Sequence, residues 1–173
     1  HQKTGLPFSA KYFAECLQIG AEKFGWKNRS PEPRRHRREN QLMGWGMAAA
    51  TFPGLRRNTT VKVRLLPDGK AHILTSANDM GTGAYTMIAM TAAEVLGLSV
   101  DNIKVEIGDS RLPDAGIAGG SMMTASLAPT VFKACQEVLK IANCNTATEA
   151  CQNLRQSGLA AFEATASSAP GEE

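Results

Sequence analysis

The spacing of hydrophobic residues divides the chain of 173 residues into segments with helical and with strand character. Apolar side chains recur at helical spacing over residues 9–26, where Ser9 is a candidate N-cap and Gly25 marks the end of the pattern. Residues 61–77 instead alternate apolar and polar positions on both sides of a Pro-Asp-Gly-Lys turn. The pattern therefore predicts an N-terminal helix followed, later in the chain, by a β-hairpin.

After the hairpin, the spacing of apolar residues changes from that of a strand to that of a helix. Residues 84–97 favour a helix with a wide apolar face that Gly97 ends, and residues 103–107 alternate as a third strand. A loop rich in Gly, Asp and Pro covers residues 108–120. A further helix follows, which we expect Pro129 to start or to kink. These elements predict an α+β fold in which helices pack on a mixed sheet.

Other segments have a less regular pattern. Residues 44–51 are small and apolar, which favours a buried strand with close backbone neighbours. Residues 28–40 are polar, basic and interrupted by proline, which is typical of an exposed linker. The chain after Asn143 is compatible with helix up to about Gly158, and we expect its end to be loosely ordered.

Composition indicates a globular piece of a longer protein. Hydrophobic residues make up 43% of the chain, enough for a core, and the net charge of +3 is mild. No apolar run reaches the roughly 18 residues of a membrane span. The chain starts at His1 without the shape of a signal peptide, so we expect it to be excised from something longer; cytoplasm and periplasm both stay open. We divide it into residues 1–40 (helix and basic linker), 41–143 (the folded region with the loops described next) and 144–173 (tail).

Two features that suggest metal or nucleic-acid chemistry have simpler explanations. The 4 cysteines include no C-x-x-C pair, so we expect thiols in packing positions, with a disulfide as the open alternative. The basic run within residues 28–40 has no interleaved aromatic residues, which favours a solvated linker over a nucleic-acid contact. We therefore expect no metal ligands and no nucleic-acid partner.

Two glycine-rich loops each lie between a predicted strand and a predicted helix. The first is Asn78–Gly83 and the second is Gly116–Thr124. A helix N-terminus offers unpaired N–H groups to an anion, and glycines let a phosphate approach the backbone. The pair therefore predicts an anionic ligand, with purely structural turns as the alternative. Asp109 and Asp114 flank the second loop, where turn residues are expected more often than metal ligands.

No catalytic constellation is present. The sequence lacks Gly-x-Ser-x-Gly, and neither His36 nor His72 has a context that indicates a general base. We assign no catalytic residue to this chain.

Five motifs in a fixed order connect the two loops: Met80–Thr86, Ala92–Gly97, Val105–Ser110, Pro113 and Gly119–Thr124. With them, residues 44–142 resemble part of the large, molybdopterin-binding subunit of the xanthine dehydrogenase/aldehyde oxidase family, closest to its bacterial aldehyde-oxidising members. Five spaced matches are far more specific than one glycine motif. The whole subunit in this family is several times longer, so the resemblance implies a fragment of its molybdenum-cofactor-binding domain.

The resemblance implies an oxidoreductase that hydroxylates aldehydes or aromatic heterocycles with water as the oxygen source. Its cofactor would be molybdenum–molybdopterin, in the cytosine dinucleotide form, and electrons would leave through [2Fe–2S] and FAD groups on partner subunits. The resemblance also implies the residues that hold the cofactor in this chain: Gly81, Thr82, Gly83, Gly119, Gly120, Ser121, Met122 and Thr124.

Two departures from the family pattern limit these expectations. Many members have Gly-Gln-Gly at the first loop, whereas Thr82 has a shorter reach to a cofactor than Gln. The family's catalytic glutamate, in a Gly-x-Gly-Glu-like segment, has no match here, so the isolated chain should be inactive. The rival hypothesis is a stand-alone domain that binds a phosphate ligand or a partner without redox chemistry.

Overall fold

The computed structural model of the chain describes residues 5, 7–8, 10–52 and 54–171, in two compact units that divide between Thr51 and Phe52. The first unit contains a helix, a short 3-10 turn and two short antiparallel strands: α1 (Phe13–Phe24), Trp26–Asn28, β1 (Arg37–Arg38) and β2 (Gln41–Leu42). α1 ends as predicted, because Gly25 adopts a left-handed φ of 77° and donates its N–H to Glu22. The helix begins four residues after the predicted cap at Ser9, which lies outside the described residues.

The segment after α1 differs from the prediction in two ways. The basic linker includes β1, which pairs with β2 just after the linker, and near this pair the N–H of Ser30 donates to Nε2 of His36 at 2.8 Å. Residues 44–51 form no strand and are exposed, apart from the partly buried Trp45, so the prediction of a buried strand was wrong. A short apolar run becomes a buried strand only when other strands pair with it. Here Trp45 stacks on His36 at 4.7 Å and meets the ring of Phe24 edge-on at 5.2 Å instead.

The second unit is a four-stranded mixed sheet with helices. Its elements are β3 (Thr59–Leu65), β4 (Ala71–Leu74), α2 (Ala84–Leu96), β5 (Ile103–Glu106), α3 (Met123–Ile141), α4 (Ala147–Ser157) and β6 (Phe162–Ser168). The strand order is β5-β4-β3-β6, with β4 and β5 parallel and the other neighbours antiparallel. The α+β prediction is confirmed. So are the hairpin, the helix that Gly97 ends, the third strand and the helix that Gly158 ends.

Alternation along the strands builds the core of this unit. Val61, Val63 and Leu65 are fully buried on one face of β3, against α3 and α4, while Lys62 and Arg64 lie half-exposed on the other face. Burial of each such aliphatic side chain contributes about 1.5–3 kcal/mol relative to exposure. The core positions therefore fix which face of the sheet the helices cover, and so the direction in which the loops leave it.

One prediction about the C-terminal half was wrong. Residues 162–168 of the tail are not loosely ordered, because all seven residues of β6 pair with β3, which buries Ala164 and Ala166. Its small and hydroxyl residues carry little hydrophobic signal, yet they let α3 pack closely on the sheet. Pro129, which we expected to start or to kink this helix, lies inside α3, where it removes the N–H that would otherwise bond the Ala125 carbonyl.

Candidate cofactor-binding site

Both glycine-rich loops leave the sheet from neighbouring positions at the carboxyl ends of the parallel strands β4 and β5. The N–H of Ser76 donates to the Pro113 carbonyl at 2.7 Å, and its hydroxyl accepts from the N–H of Ala115 at 3.1 Å. The N–H of Gly108 donates to the Ala77 carbonyl at 2.8 Å. In open sheets, ligands bind in the crevice beyond the carboxyl ends of parallel strands. The two loops therefore have a common base at the edge where such a site is expected.

The first loop is organised by Asp79. Its carboxylate accepts N–H groups from Gly81 at 2.8 Å, Gly83 at 3.2 Å and Tyr85 at 3.4 Å. These bonds, led by that from Gly81, hold the pKa of Asp79 below its usual range. The Asp79 carboxylate thus already supplies a negative charge at the N-terminus of α2. Asp79 was missed as a functional residue, although an Asp two residues before a Gly is a turn signal in the sequence.

The rest of the first loop is open to solvent. Gly81 and Gly83 have left-handed φ values of 96° and 79°, and a Cβ added at either would meet nothing within 4 Å. Thr82 is exposed, and its side chain makes no hydrogen bond to any described residue. The loop therefore presents bare backbone and a hydroxyl, while several of its amides are occupied.

The second loop is packed against the segment that precedes β3. A Cβ added at Gly116 would lie 3.1 Å from the Asn58 carbonyl oxygen, and one at Gly120 would lie 2.9 Å from the Met122 Cε. Both glycines have left-handed φ values, 71° and 58°, as does Ser121 at 54°, which is uncommon for a residue with a side chain. Close packing and the left-handed backbone together hold the loop in one shape.

The start of α3 is braced by a buried hydroxyl. The Ser126 Oγ accepts the N–H of Arg57 at 2.9 Å and donates to the Met122 carbonyl at 2.7 Å. The N–H of Met122 itself donates to the Gly119 carbonyl at 3.2 Å. Unlike the start of α2, this helix start is not bonded by a carboxylate, and its first turn contains no acidic residue.

The eight predicted cofactor residues divide by exposure. Six are exposed on the two loops: Gly81, Thr82, Gly119, Gly120, Ser121 and Thr124. Gly83 is partly buried, and the side chain of Met122 is buried in the protein. The Met122 side chain therefore packs inward, so a ligand could meet this residue only through its backbone.

The aspartates beside the second loop are turn residues. The Asp109 carboxylate accepts the backbone N–H of Arg111 at 2.9 Å and pairs with its guanidinium at 2.6 Å, which lowers the pKa of Asp109 to about 2. Asp114 Oδ1 accepts the N–H of Gly116 at 3.0 Å. Within the described residues, no three His, Cys, Asp or Glu side chains cluster as metal ligands would.

The four cysteines are free thiols, and the prediction that they occupy packing positions is confirmed for all but Cys16. Cys135 and Cys151 are buried, Cys144 is partly buried and Cys16 is exposed. Burial raises the pKa of Cys135 to about 12, which suits a core residue and not a nucleophile. No helix in the described part of the chain has the length and apolar character needed to cross a membrane.

Comparison with known proteins identifies the family. The molybdopterin cofactor-binding domain family matches residues 19–169. The chain is 38% identical over 128 residues to the aldehyde oxidoreductase molybdenum-binding subunit PaoC of Escherichia coli O157:H7, which covers 74% of this chain and 18% of that protein. The chain belongs to the molybdopterin cofactor-binding domain family, and it spans about a fifth of the length of the curated relatives it matches.

Solved structures agree on the fold. The aldehyde oxidoreductase of Desulfovibrio gigas superposes with a TM-score of 0.57 at 22% identity, over 68% of this chain and 14% of that one. The aldehyde oxidoreductase of Desulfovibrio desulfuricans gives 0.56 at 25% identity, over 68% and 14%. The match to the family and the PaoC relative confirm the expected family, and none of the comparisons supports the rival hypothesis of a stand-alone phosphate-binding domain.

Proposed function

We propose that this chain forms part of the cofactor site of a molybdenum hydroxylase whose complete subunit oxidises aldehydes or aromatic heterocycles with water as the oxygen source. The observation that carries the proposal is the common base of the two glycine-rich loops at the carboxyl ends of β4 and β5. Family membership supports the cofactor, and similarity to PaoC, an aldehyde oxidoreductase subunit, supports the aldehyde class of substrate.

The residues of the second loop fit an anionic part of the cofactor. Gly119, Gly120, Ser121 and Thr124 are exposed beside a helix N-terminus that holds no carboxylate. Backbone N–H groups and two hydroxyls would donate to phosphate oxygens there. The left-handed Gly120 and Ser121 fix these donors before a ligand arrives, which lowers the entropic cost of binding.

The first loop would have a different role. Because Asp79 already accepts from Gly81 and Gly83, these amides are not free to bind a phosphate while that carboxylate stays in place. The open faces of Gly81 and Gly83 leave room for a flat, uncharged part of the cofactor against the backbone. Thr82 would contribute one short hydroxyl contact at most.

The bound group would supply a two-electron redox centre that these residues lack. The chain's own residues would bind and orient it, and we assign none of them to proton transfer or to substrate. We further propose that the cofactor is the cytosine dinucleotide form and that an iron–sulfur subunit and an FAD subunit complete the enzyme. The bacterial aldehyde oxidoreductase relatives support the form of the cofactor. The small share of the relative's length that this chain covers leaves room for the rest of the enzyme, which supports the further subunits.

The test is the molybdenum and pterin content of the full-length protein carrying Gly120→Val. A matched control is Gly97→Val, since Gly97 has a similar left-handed φ of 64° but ends α2 away from the loops. We expect Gly120→Val to lose most of its cofactor per folded molecule and Gly97→Val to retain it. Equal cofactor content in both folded variants would refute the assignment of the second loop.

A further inference from the structure

A group of buried hydroxyls lies beneath the start of α3, and the cofactor assignment does not use it. The described part of the chain has four buried polar residues, and Thr75 is the only one of them outside this group. Thr59 of β3 and Ser126 and Thr130 of α3 are at most 4% exposed and contact one another. Ser168, at the end of β6, completes the group. Buried polar side chains are uncommon in a core, and here they gather at one point.

The hydrogen bonds of the hydroxyl cluster, by which we mean Thr59, Thr130 and Ser168, lead to one backbone carbonyl. The Thr59 and Thr130 hydroxyls lie 3.1 and 3.0 Å from the Ser126 carbonyl oxygen and 2.5 Å from each other. The Ser168 hydroxyl bonds that of Thr130. A hydroxyl has one hydrogen to donate, whereas a carbonyl only accepts. Donation within the cluster therefore ends at the Ser126 carbonyl, and no buried side-chain oxygen of the described chain is left without a partner.

Ser126 connects the hydroxyl cluster to the second loop. Its own hydroxyl bonds the N–H of Arg57 and the carbonyl of Met122, so one residue receives the cluster on its carbonyl and holds the loop with its side chain. The cluster members come from three elements, and Thr59 and Ser168 are 109 residues apart in the chain. The hydroxyl cluster therefore ties the start of β3 and the end of β6 to the helix start that braces the second loop.

Pro129 explains why this part of α3 needs an anchor from outside the helix. Proline has no N–H, so the helical bond to the Ala125 carbonyl is missing one residue before Ser126. The bond from the Thr59 hydroxyl to the Ser126 carbonyl comes from β3 and holds the helix at this point. An apolar side chain of the same shape would fill the space, but it would not fix a distance and an angle as a hydrogen bond does.

We propose that Thr59, Thr130 and Ser168 are positioning residues for the molybdenum cofactor. They hold Ser126, and through it the second loop, in the one shape in which the backbone groups of the loop meet the cofactor. Fully bonded buried polar groups specify a single arrangement of a core, whereas apolar contacts tolerate several. The inference rests on the proposed function, since only a cofactor loop needs to be held in this way.

The first test compares three variants of the full-length subunit. Thr130→Val keeps the shape of the side chain and removes its hydroxyl, whereas Thr130→Ser keeps the hydroxyl. Val138→Ala removes methyl groups from another fully buried residue of α3 and is the control for lost stability. The measurements are the melting temperature, the amide hydrogen exchange of residues 119–126 by mass spectrometry, and the molybdenum and pterin content per folded molecule.

We expect Thr130→Val to exchange about fivefold faster over residues 119–126 and to contain at least about twofold less cofactor, as the loss of one net hydrogen bond allows. Thr130→Ser should match the unmodified subunit in both measurements. Val138→Ala should lower the melting temperature but leave local exchange and cofactor content unchanged. Full cofactor content in a folded Thr130→Val, an equal loss in Thr130→Ser, or an equal loss in Val138→Ala would overturn the proposal.

Ser168→Ala covers the case in which Thr130→Val does not fold, because Ser168 is only partly buried. Its matched control is Ser167→Ala, since the exposed Ser167 hydroxyl bonds that of Thr60 at 2.9 Å on the other face of the sheet. We expect Ser168→Ala to exchange at least about twofold faster over residues 119–126 and to lose part of its cofactor, and Ser167→Ala to do neither. Identical behaviour of the two serine variants would contradict the positioning role.

Failure of the proposed function has a different result from failure of this inference. If the proposed function is wrong, the unmodified full-length subunit contains no molybdopterin, or Gly120→Val retains it, and the positioning role falls with the assignment of the loop. If only the positioning role is wrong, Gly120→Val loses the cofactor whereas folded Thr130→Val and Ser168→Ala keep it.

Discussion

The two glycine-rich loops join a strand to a helix from neighbouring positions, yet they differ in electrostatic state. At the first loop, the Asp79 carboxylate accepts three backbone N–H groups around the start of α2. At the second loop, the start of α3 is braced by the neutral hydroxyl of Ser126. The backbone N–H groups at the start of α2 are thus already bonded to a carboxylate of the chain, whereas those at the start of α3 are bonded to no carboxylate among the described residues.

This difference shows what a glycine motif before a helix does and does not indicate. The motif predicts a helix start whose amides point out of the loop. Whether those amides are available depends on a nearby carboxylate that the motif does not include, here two residues before Gly81. Four predictions test the contrast, in order of decreasing effect.

The largest expected effect is a difference in stability between two Gly→Ala variants, one in each loop. Gly116→Ala places a Cβ 3.1 Å from the Asn58 carbonyl oxygen at a left-handed φ, so we expect a loss of about 3 kcal/mol in the free energy of unfolding. Gly81→Ala, which is left-handed but open, should cost only about 1 kcal/mol. Denaturant unfolding of both variants measures the gap, and equal losses would contradict the packing described for the second loop.

The next effect concerns the hydroxyl that braces the second loop. Ser126→Ala removes the partner of the Arg57 N–H and of the Met122 carbonyl, which should destabilise the chain by about 2 kcal/mol. Amide hydrogen exchange should become faster at Arg57. A control is Ser110→Ala, an exposed serine in the loop before the second one, which we expect to leave stability unchanged. Unchanged exchange at Arg57 would argue against the brace.

A smaller effect on stability, but a qualitative change in binding, should follow Asp79→Ala. Loss of a carboxylate that bonds a helix start is destabilising, and we expect a smaller loss than for Ser126→Ala. The amides of Gly81 and Gly83 would then be free, so inorganic phosphate should shift their NMR signals in this variant and not in the unmodified chain. Phosphate shifting these signals equally in both would show that Asp79 does not occupy the site.

The smallest effect is a pH dependence confined to the first loop. Because the folded pKa of Asp79 is lowered, its contribution to stability is present above the unfolded value near 3.9 and is lost as the pH falls through the folded pKa. The amide shifts of Gly81 and Gly83 should therefore titrate with a midpoint below about 3.9, and Asp79→Asn should abolish this titration. A midpoint at or above that value would contradict the hydrogen bonds from the loop.

The sequence predicted most of the second unit because strong local signals determine it. Alternation specified β3, and glycines specified the ends of α2 and α4. The strand β6 was missed because its Phe-Glu-Ala-Thr-Ala-Ser-Ser sequence carries little hydrophobic signal and is ordered by pairing with β3, far away in the chain. For residues 44–51 the error was the opposite one: a strand was predicted where none forms. An apolar run without a pairing strand stays irregular.

The candidate site shows the same limit. Motif order identified the family and both loops from residues close together in the chain. Neither the carboxylate that occupies the first loop nor the hydroxyl that braces the second could be assigned in that way. Ser126 and Arg57 are 69 residues apart, and only the packing of α3 against the start of β3 brings them into contact.

The most direct test of this account is an experimental structure of the full-length subunit with its cofactor bound. We predict the phosphate oxygens about 3 Å from backbone N–H groups of residues 119–124, with Asp79 still bonded to Gly81 and Gly83. A phosphate bound instead by the amides of Gly81 and Gly83, with the Asp79 carboxylate displaced, would contradict it.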